Sequence, residues 1–599
     1  MNEEGLRINH GQSMRYIHPT SEDTIVIRLR VYEEDSNVPL KCILHYKSAD
    51  TWRKAAMDLF VETHNSRYYE REIEHGDLGI EYFFEIISGG VVIYLGENIS
   101  NLGTSSKENL KGFYYERESR VFLTPAWVRE AIFYQIFPER FFNGDPHNDP
   151  PGTEVWGGEP TPKNYFGGDL VGIEKKIPYL VDLGINAIWL NPIFAADSNH
   201  KYNTYDYMEI DPHFGDKAAF KSLVRKLHQE GIRVILDGVF NHTGTKFWAF
   251  QDILKNGSQS PYKDWYYIYE FPVRISPKPT YECWWDVPEL PKLNIENPEV
   301  KKYILDAAAY WTREFEIDGW RLDVPNEIDH DFWIDFRKVI KNINPECYIV
   351  GEIWDDGRPW LQGDQFDAVM NYLFRSSVLD FFASRKMEIV DFQTQIGNLL
   401  LKYMKQTNYT QLNLLGSHDT ARALTLFKEN IPGIHKPVST EDAIERLKPS
   451  ILFQMTYPGA PMIYYGDELG MVGGPDPGCR RTMIWNEKDQ DLELKTFYKR
   501  LIELRKNNSV FTFGGYIPLL ADDTEKVFAY ARKLGDKAAV IVLNMDNKEK
   551  EVDIPVNELN LPEGMVLTDA FAGEKYQMKD NRIFIPSLQG DHGFLVLMN

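Results

Sequence analysis

The middle of this chain alternates between short apolar runs and stretches with helical periodicity, and this alternation restricts the folds open to it. Between about residues 127 and 510, eight runs have the composition of buried strands. They are 131–141, 187–194, 233–240, 319–324, 347–354, 367–374, 410–417 and 461–468. Strands that alternate with helices predict an α/β fold with a parallel sheet. Eight such pairs predict a (β/α)8 TIM barrel.

The two ends of the chain follow a different pattern. They contain short β runs in which polar and apolar residues alternate, such as TIVIRLRVY at 24–32 and VFAYARK at 527–533. This pattern is typical of β-sandwiches. We therefore predict three domains: an N-terminal β-sandwich over 1–122, the barrel over 123–510 with a subdomain inserted at about 241–295, and a C-terminal β-sandwich over 511–599.

The charge balance, the hydropathy, the N-terminal sequence and the cysteine spacing argue against several classes of protein. The chain has 66 Lys and Arg against 89 Asp and Glu, a formal net charge of −23, which argues against nucleic acid or anionic membranes as partners. No stretch of about 18 apolar residues predicts a transmembrane helix. The N-terminus lacks the basic and apolar regions of a signal peptide, so we expect a cytoplasmic protein. Four widely spaced cysteines form no CxxC motif, which excludes the common zinc and redox motifs.

Charged and polar residues stand directly after four of the predicted strands. Carboxyl ends of barrel strands meet at one face, where barrel enzymes keep their chemistry. Several carboxylates that converge there with an arginine and two histidines indicate glycoside hydrolysis. The residues are Asp237 and His242 in DGVFNH, Arg321 and Asp323 in GWRLDVPNE, Glu352 in GEIWD, and His418 and Asp419 in LLGSHDT.

These four strings, in this order, resemble the signature regions of the α-amylase family, glycoside hydrolase family 13. The string LPKLN at 290–294 resembles a fifth region found in the neopullulanase, cyclomaltodextrinase and maltogenic amylase subfamily. The subfamily's layout, with β-modules on both sides of the barrel, is also similar. The resemblance implies a retaining hydrolase for α-1,4 bonds of starch and maltooligosaccharides, with cyclodextrins and pullulan as further candidate substrates.

The resemblance assigns three catalytic acids. Asp323 would be the nucleophile, Glu352 the general acid and then the base, and Asp419 the residue that stabilises the oxocarbenium-like transition state. Asp323 and Glu352 are 29 residues apart, about one strand–helix–strand step, so they should lie on adjacent strands. In retaining enzymes such carboxyls are about 5–5.5 Å apart. We expect the positive charge of Arg321 to keep Asp323 ionised.

The resemblance also implies a set of substrate-binding residues. For the aromatic members, packing in the core or the cleft wall is an alternative role. The set comprises His242 and His418 as hydrogen-bond donors to the sugar being cleaved, Tyr202 stacked under that sugar, Asp237 and Arg321 as organisers of the site, and Asn326, Glu327, Trp354 and Trp284 on the acceptor side.

A second cluster of oxygen-bearing residues lies in FFNGDPHNDP (141–150) and FGGD (166–169). Hard oxygen ligands suit Ca²⁺, whereas zinc would need His or Cys. The resemblance implies a structural calcium site and adds the carbonyl of Gly167. A loop built from Asx turns is the alternative. The predicted ligands are Asn143, Asp145, Asn148, Asp149, Gly167 and Asp169.

The resemblance leaves the role of the N-terminal module open. In the subfamily this module often covers the partner's active site in a homodimer, and elsewhere a similar module binds starch. Strand alternation places at least half of its candidate aromatic residues in the sandwich core. They are His45, Tyr46, Trp52, Tyr68 and Tyr69.

Two other functions can use the same barrel. A glucanotransferase or isomerase, of the branching-enzyme or sucrose-isomerase type, would keep the same three acids. A non-catalytic transporter subunit would lose them and gain a membrane helix, so the sequence argues against it. The LPKLN string at 290–294 favours the hydrolase.

Overall fold

The computed structural model of the 599-residue chain describes residues 6–33, 40–48, 51–75, 79–100, 102–117, 121–429, 438–590 and 593–599. A barrel of parallel strands and helices occupies the centre of the chain. Domains built from strands lie on either side of it in sequence.

The barrel contains eight short parallel strands in sequential order. Each strand pairs with the next along the chain, and the last returns to the first. A parallel bridge between Met370 and Leu412 closes the ring. The predicted TIM barrel is therefore confirmed. The strands are β1 (Phe133–Ile136), β2 (Ala187–Leu190), β3 (Arg233–Gly238), β4 (Gly319–Leu322), β5 (Tyr348–Gly351), β6 (Ala368–Val369), β7 (Leu412–Leu414) and β8 (Ala460–Tyr464).

Amphipathic helices surround the strands. In Lys217–Gln229, for example, Phe220, Leu223, Val224 and Leu227 are buried, and the Asp216 side chain caps the first turn by accepting from the Ala219 N–H. The α-helices of the barrel region are Pro138–Phe141, Leu170–Lys175, Ile177–Leu183, Lys217–Gln229, Trp248–Asn256, Pro298–Glu314, His330–Ile343, Tyr372–Phe382, Ile389–Lys402, Lys405–Asn408, Ala423–Glu429, Thr440–Thr456, Leu492–Asn507 and Ser509–Phe513.

The predicted strand runs extend beyond the observed strands. The largest difference is at 367–374, where β6 covers only Ala368–Val369 and the helix Tyr372–Phe382 begins within the run. The Asn371 side chain accepts from the Phe374 N–H and caps this helix. Helix and strand cannot be distinguished by apolar composition alone in such a short run.

The segment after β3 leaves the barrel and returns to its carboxyl-end face. It contains the helix Trp248–Asn256 and isolated antiparallel bridges, among them His242 to Lys292 and Cys283 to Pro291. Phe250 and Tyr266 pack against each other inside it, with ring centroids 5.0 Å apart. The insertion therefore lies beside the strand ends that carry the predicted acids. A second excursion, after β2, pairs Phe194–Ala196 with Thr204–Ile210.

The N-terminal domain has two five-stranded sheets that enclose a separate apolar core. Of its candidate aromatic residues, Tyr68 and Tyr69 are buried, whereas Trp52 is 46% exposed. The strands are Leu6–Asn9, Ile17–Pro19, Thr24–Glu33, Leu40–Ser48, Thr51–Ala56, Asp58–Thr63, Ser66–Glu74, Ile80–Ser88, Val91–Leu95 and Phe113–Tyr115.

The C-terminal domain contains eight strands that surround a third core. Among the described residues, no helix has the length and apolarity needed to span a membrane. The strands are Gly515–Asp522, Val527–Leu534, Lys537–Asn544, Lys550–Pro555, Val566–Asp569, Lys575–Lys579, Arg582–Leu588 and Phe594–Met598.

Candidate active site

One buried guanidinium joins three of the predicted acidic residues. Arg321 lies in β4 and is fully buried. Its Nη1 is 2.9 Å from Asp237 Oδ1 and 2.9 Å from Asp323 Oδ1, and its Nη2 is 2.9 Å from Glu352 Oε2. The carboxyl ends of β3, β4 and β5 therefore bring these groups together, as the strand-end pattern predicts.

A strained turn connects the predicted nucleophile to the predicted acid. Val324, directly after Asp323, has φ 34° and ψ 50°, a left-handed conformation that is rare for a β-branched residue. Its N–H donates to Glu352 Oε2 at 3.1 Å. Backbone strain of this kind is concentrated at functional sites. Here it aims a backbone donor at the carboxylate of the neighbouring strand.

The other oxygen of Glu352 is held by a tryptophan. Trp354 Nε1 donates to Glu352 Oε1 at 3.2 Å. The indole stacks on Tyr372 with ring centroids 3.8 Å apart and an interplanar angle of 9°. Trp354 is 46% exposed, whereas Glu352 is 5% exposed. Trp354 thus contacts the predicted acid and is partly exposed to solvent, while Tyr372, which sequence reasoning missed, supports its ring.

Asp419 is held by an arginine that the sequence pattern did not reveal. Arg480 Nη2 is 3.1 Å from Asp419 Oδ1, and Arg480 Nε donates to the carbonyl of His418 at 2.9 Å. His418 Nε2 is 3.2 Å from Asp419 Oδ2. Arg480 lies in a loop after β8, far from any strand-end motif. The Arg-Arg pair at 480–481 was its only sequence signal.

A hydrogen-bond network connects His418 to Asp237 through Tyr202. The Tyr202 hydroxyl donates to Asp237 Oδ2 at 3.0 Å and lies 2.6 Å from His418 Nε2. The Asn191 amide donates to the same hydroxyl, and the Gln135 amide lies 2.8 Å from His418 Nδ1. An amide donor on Nδ1 leaves the imidazole proton on Nε2. Gln135 and Asn191, in β1 and after β2, were missed by sequence reasoning.

His242 presents an unsatisfied nitrogen. The side chain is buried, and its Nε2 has no hydrogen-bond partner among the described residues. Burial lowers the pKa of His242 to about 3, so the imidazole is neutral. Its ring lies 5.9 Å from that of Trp284. A buried polar atom without a partner is costly, which fits a position that a ligand hydroxyl completes.

The carboxyls influence one another's protonation. Burial raises the pKa of Asp323 well above its usual range, the charges of Glu352 and Asp237 raise it further, and Arg321 opposes the rise. Burial likewise raises the pKa of Asp237 to about 6 and that of Asp419 to about 7. Arg321 is thus the group that favours the ionised form of Asp323, in the direction expected of its charge.

The predicted acceptor-side residues lie on loops. Asn326 and Glu327 belong to the 3-10 turn Pro325–Glu327, in which Asn326 is exposed. Glu327 Oε1 accepts from Trp285 Nε1 at 3.1 Å, and the Glu327 carbonyl accepts from Lys292 Nζ at 3.0 Å. Trp284 is partly buried and stacks on Trp285. Sequence reasoning named Trp284 but missed the more exposed Trp285.

Three of the predicted calcium ligands, Asn143, Asp149 and Gly167, contact one another in the loop after β1, and the Asn148 amide donates to Asp169. Asn143 and Asn148 each have a buried side-chain oxygen without a partner among the described residues. The Asn143 amide donates to Asp149 Oδ1 at 2.8 Å. Gly167 has φ 81°, and a Cβ there would overlap both Asp149 and Asn143. Amide, carboxylate and carbonyl oxygens are the kinds of ligand that suit a hard cation.

The other two predicted ligands have different partners. The Asp169 carboxylate caps the helix Leu170–Lys175 through the Gly172 N–H and accepts from the Asp145 N–H at 2.8 Å. The Asp145 carboxylate accepts from the His147 N–H and is 44% exposed. Among the described residues, no three His, Cys, Asp or Glu side chains form a metal-binding group. An ion there would therefore need amide and carbonyl oxygens in addition to carboxylates.

Comparisons with known proteins agree with this geometry. The family model for the catalytic domain of α-amylase matches residues 135–507, and that for the N-terminal Ig-like domain of α-amylase matches residues 1–116. A cyclomaltodextrinase of Thermoanaerobacter pseudethanolicus is 45% identical over 556 residues, covering 91% of this chain and 93% of its own. Neopullulanase 2 of Thermoactinomyces vulgaris is 42% identical, covering 96% of both chains.

The fold comparison gives the same family. A solved structure of a cyclomaltodextrinase superimposes with a TM-score of 0.86 at 38% identity and covers 99% of both chains. The two family models together cover the N-terminal domain and the barrel. The 38% identity extends over nearly the whole chain. The chain therefore belongs to the α-amylase family, beside proteins named cyclomaltodextrinase and neopullulanase, and is an α-glucan hydrolase.

Proposed function

We propose that the protein cleaves α-1,4-glucosidic bonds by double displacement with retention of configuration. The single observation that carries the proposal is the contact of one guanidinium, that of Arg321, with the carboxylates of both Asp323 and Glu352. This anchors the two acids side by side. Retaining enzymes need two carboxyls about 5–5.5 Å apart, closer than inverting enzymes, which must leave room for a water molecule.

In the first step, Asp323 attacks the anomeric carbon while Glu352 gives its proton to the departing glycosidic oxygen. The bond to the leaving sugar breaks and a glycosyl ester of Asp323 forms. In the second step, Glu352 takes a proton from water, and the resulting attack releases the sugar and regenerates Asp323. Contacts of both Glu352 oxygens with the Val324 and Trp354 N–H groups support an oriented acid.

The remaining polar groups would bind and stabilise the sugar at the reacting centre. His242 has a free nitrogen, and Asp419 is oriented by Arg480 and His418. Hydrogen bonds to hydroxyls that strengthen in the transition state add several kcal/mol in such enzymes. Asp237 acts through Arg321 and Tyr202, so it is a positioning residue.

The proposed substrates are starch and maltooligosaccharides, with cyclodextrins and pullulan as further substrates. The names of the relatives, cyclomaltodextrinase and neopullulanase, support the wider range. Association into a homodimer through the N-terminal domain is part of the proposal. The exposed indole of Trp52, 5.2 Å from the Phe83 ring, gives that domain an aromatic surface that a partner could cover.

We also propose a structural calcium ion in the loop after β1. The oxygens of Asn143, Asn148 and Asp149 and the carbonyl of Gly167 would hold it, while Asp145 and Asp169 would shape the loop around them. An ion there would satisfy two buried amide oxygens. No catalytic role is assigned to it, because the loop is separate from the acids.

Product analysis tests the proposed function. Purified protein would be incubated with soluble starch, pullulan and β-cyclodextrin in parallel, and the anomeric form of the first products would be followed by proton NMR. We expect α-anomers and maltose with short maltooligosaccharides. First products in the β-form would contradict retention. Transfer of glucan segments without net hydrolysis would favour the glucanotransferase, and isomerised sucrose the isomerase.

A further inference from the structure

Trp285 combines two features that are unfavourable for an isolated protein. Its side chain is 78% exposed, the largest exposure of any tryptophan among the described residues. Its backbone has φ 47° and ψ 40°, a left-handed conformation that bulky residues rarely adopt, and Asp286 beside it has φ 59°. Large exposed aromatic surface and local strain each occur preferentially at binding sites. Their coincidence in one residue suggests a functional position.

The exposed indole is held in place. Trp285 Nε1 donates to Glu327 Oε1 at 3.1 Å, and Lys292 Nζ donates to the Glu327 carbonyl and to Asn241 Oδ1. One face of the indole stacks on Trp284, with centroids 5.5 Å apart at 24°. An oriented ring is a pre-organised platform, because little side-chain entropy remains to be lost when a ligand covers it.

Trp285 is also connected to the catalytic cleft. The Trp284 ring lies between it and His242, 5.9 Å from the His242 ring. His242 has the buried, unsatisfied Nε2 described above. Glu327 lies four residues after Asp323 in the loop that follows β4. The Trp284 ring thus contacts both the exposed Trp285 ring and the buried His242 ring, and Glu327 ties Trp285 to the loop that follows Asp323.

We infer that Trp285 is a specificity-determining residue that stacks against a glucosyl ring of the α-glucan outside the sugar being cleaved. The inference rests on the proposed function, since it names the part of the same substrate that this ring contacts. Flat aromatic faces suit the apolar face of a pyranose. An occupied platform favours substrates long enough to span from the reacting centre to Trp285. Trp285 therefore discriminates by chain length.

The test compares kcat and KM for maltotriose, maltoheptaose and β-cyclodextrin in the wild type, Trp285→Ala and Trp285→Phe. We expect Trp285→Ala to lower kcat/KM for maltoheptaose by about tenfold, mainly through KM. Maltotriose should change much less, and Trp285→Phe should retain most of the wild-type value. Tyr269→Ala is the matched control, because Tyr269 is a 67% exposed aromatic residue on the same insertion. This substitution should leave kcat/KM unchanged for all three substrates.

The outcomes separate the inference from the proposed function. If the wild type hydrolyses none of the three substrates, the proposed function fails. If the wild type hydrolyses them, and Trp285→Ala lowers kcat/KM equally for all three substrates or for none of them, the proposed function stands and only the platform is wrong. If Trp285→Phe behaves like Trp285→Ala, the indole N–H to Glu327 is what matters, and the platform is again wrong. Circular dichroism of each variant shows whether it is folded.

Discussion

The floor and the rim of the active-site cleft differ in burial and in the type of element that carries them. The floor (Asp237, Arg321, Asp323, Glu352 and Asp419) lies at strand ends and is largely buried. The rim (Trp284, Trp285, Glu327 and Trp354) lies on loops, and Trp285 and Trp354 are 78% and 46% exposed. Charges interact strongly in the floor, where water is excluded. The rim acts through surface contact, so chemistry and specificity are separated.

The largest effect is expected at the floor, from Glu352→Gln. The amide has nearly the same shape but cannot donate or accept the catalytic proton, so kcat should fall by about 10³-fold or more. Steady-state hydrolysis of maltoheptaose measures the loss, and calorimetry should show that the substrate still binds. Glu327→Gln at the rim is the matched control and should lose much less. Near-wild-type turnover of Glu352→Gln would remove the basis for the proposed mechanism.

Arg321→Leu tests how much the buried ion pairs of the floor contribute to the stability of the fold. The substitution leaves three buried carboxylates without their shared counter-charge, which should cost about 3–5 kcal/mol of unfolding free energy. Urea unfolding followed by fluorescence measures it. Arg274→Leu removes an exposed ion pair with Glu270 and should change little. Equal stabilities of the two variants would mean that the carboxylates are neutral without Arg321.

The floor could be predicted from the sequence because its residues follow apolar strands in a fixed order. Asp237, Asp323 and Glu352 are each specified by a local string, and the barrel topology alone brings them together. Gln135, in β1, and Asn191, directly after β2, belong to other strands of the same barrel but carry no charge that would single them out. Amides in short apolar runs have many roles, so local sequence does not distinguish these two.

The rim and the residues that support the floor from other parts of the chain could be predicted only in part, because their geometry depends on long-range contacts. Arg480 reaches Asp419 from 61 residues away, and no periodicity relates the two. Trp284 and Trp285 are adjacent, so composition could not indicate which one would be exposed. That depends on the positive φ of Trp285 and on Glu327, 42 residues away. Tyr372 was assigned to a strand, whereas it begins a helix.

Calcium removal should destabilise the fold less than loss of Arg321 does, and it should leave the arrangement of the floor residues unchanged. If the loop after β1 binds the ion, excess Ca²⁺ at about 100 times its Kd stabilises the fold by about 2.7 kcal/mol. EDTA should therefore lower Tm by several degrees, and Ca²⁺ should restore it. Asn148→Ala should make Tm insensitive to both treatments. An unchanged wild-type Tm in EDTA would favour the alternative of a loop built from Asx turns.

The pH dependence of stability should show the cost of a buried acid in the floor. Asp419 has its pKa raised to about 7 by burial and by Glu352. The native state therefore holds a proton that the unfolded chain has released, and its unfolding free energy falls as pH rises from about 4 to about 7. Asp419→Asn should match the wild type in unfolding free energy at pH 4 and be more stable than the wild type at pH 8. Thermal melts across this range measure the difference, and parallel curves for both proteins would contradict it.

The smallest expected effect belongs to Trp354, which connects the two regions. It is half exposed at the rim, yet its indole N–H donates to Glu352 in the floor. Trp354→Phe keeps the aromatic ring on Tyr372 but removes this donor, so kcat should fall by about fivefold, equivalent to one hydrogen bond, with little change in KM. Trp354→Ala removes the ring as well and should also raise KM. If Trp354→Phe changes only KM, Trp354 acts purely as a rim residue, and the orientation of Glu352 depends on the Val324 N–H and on Arg321.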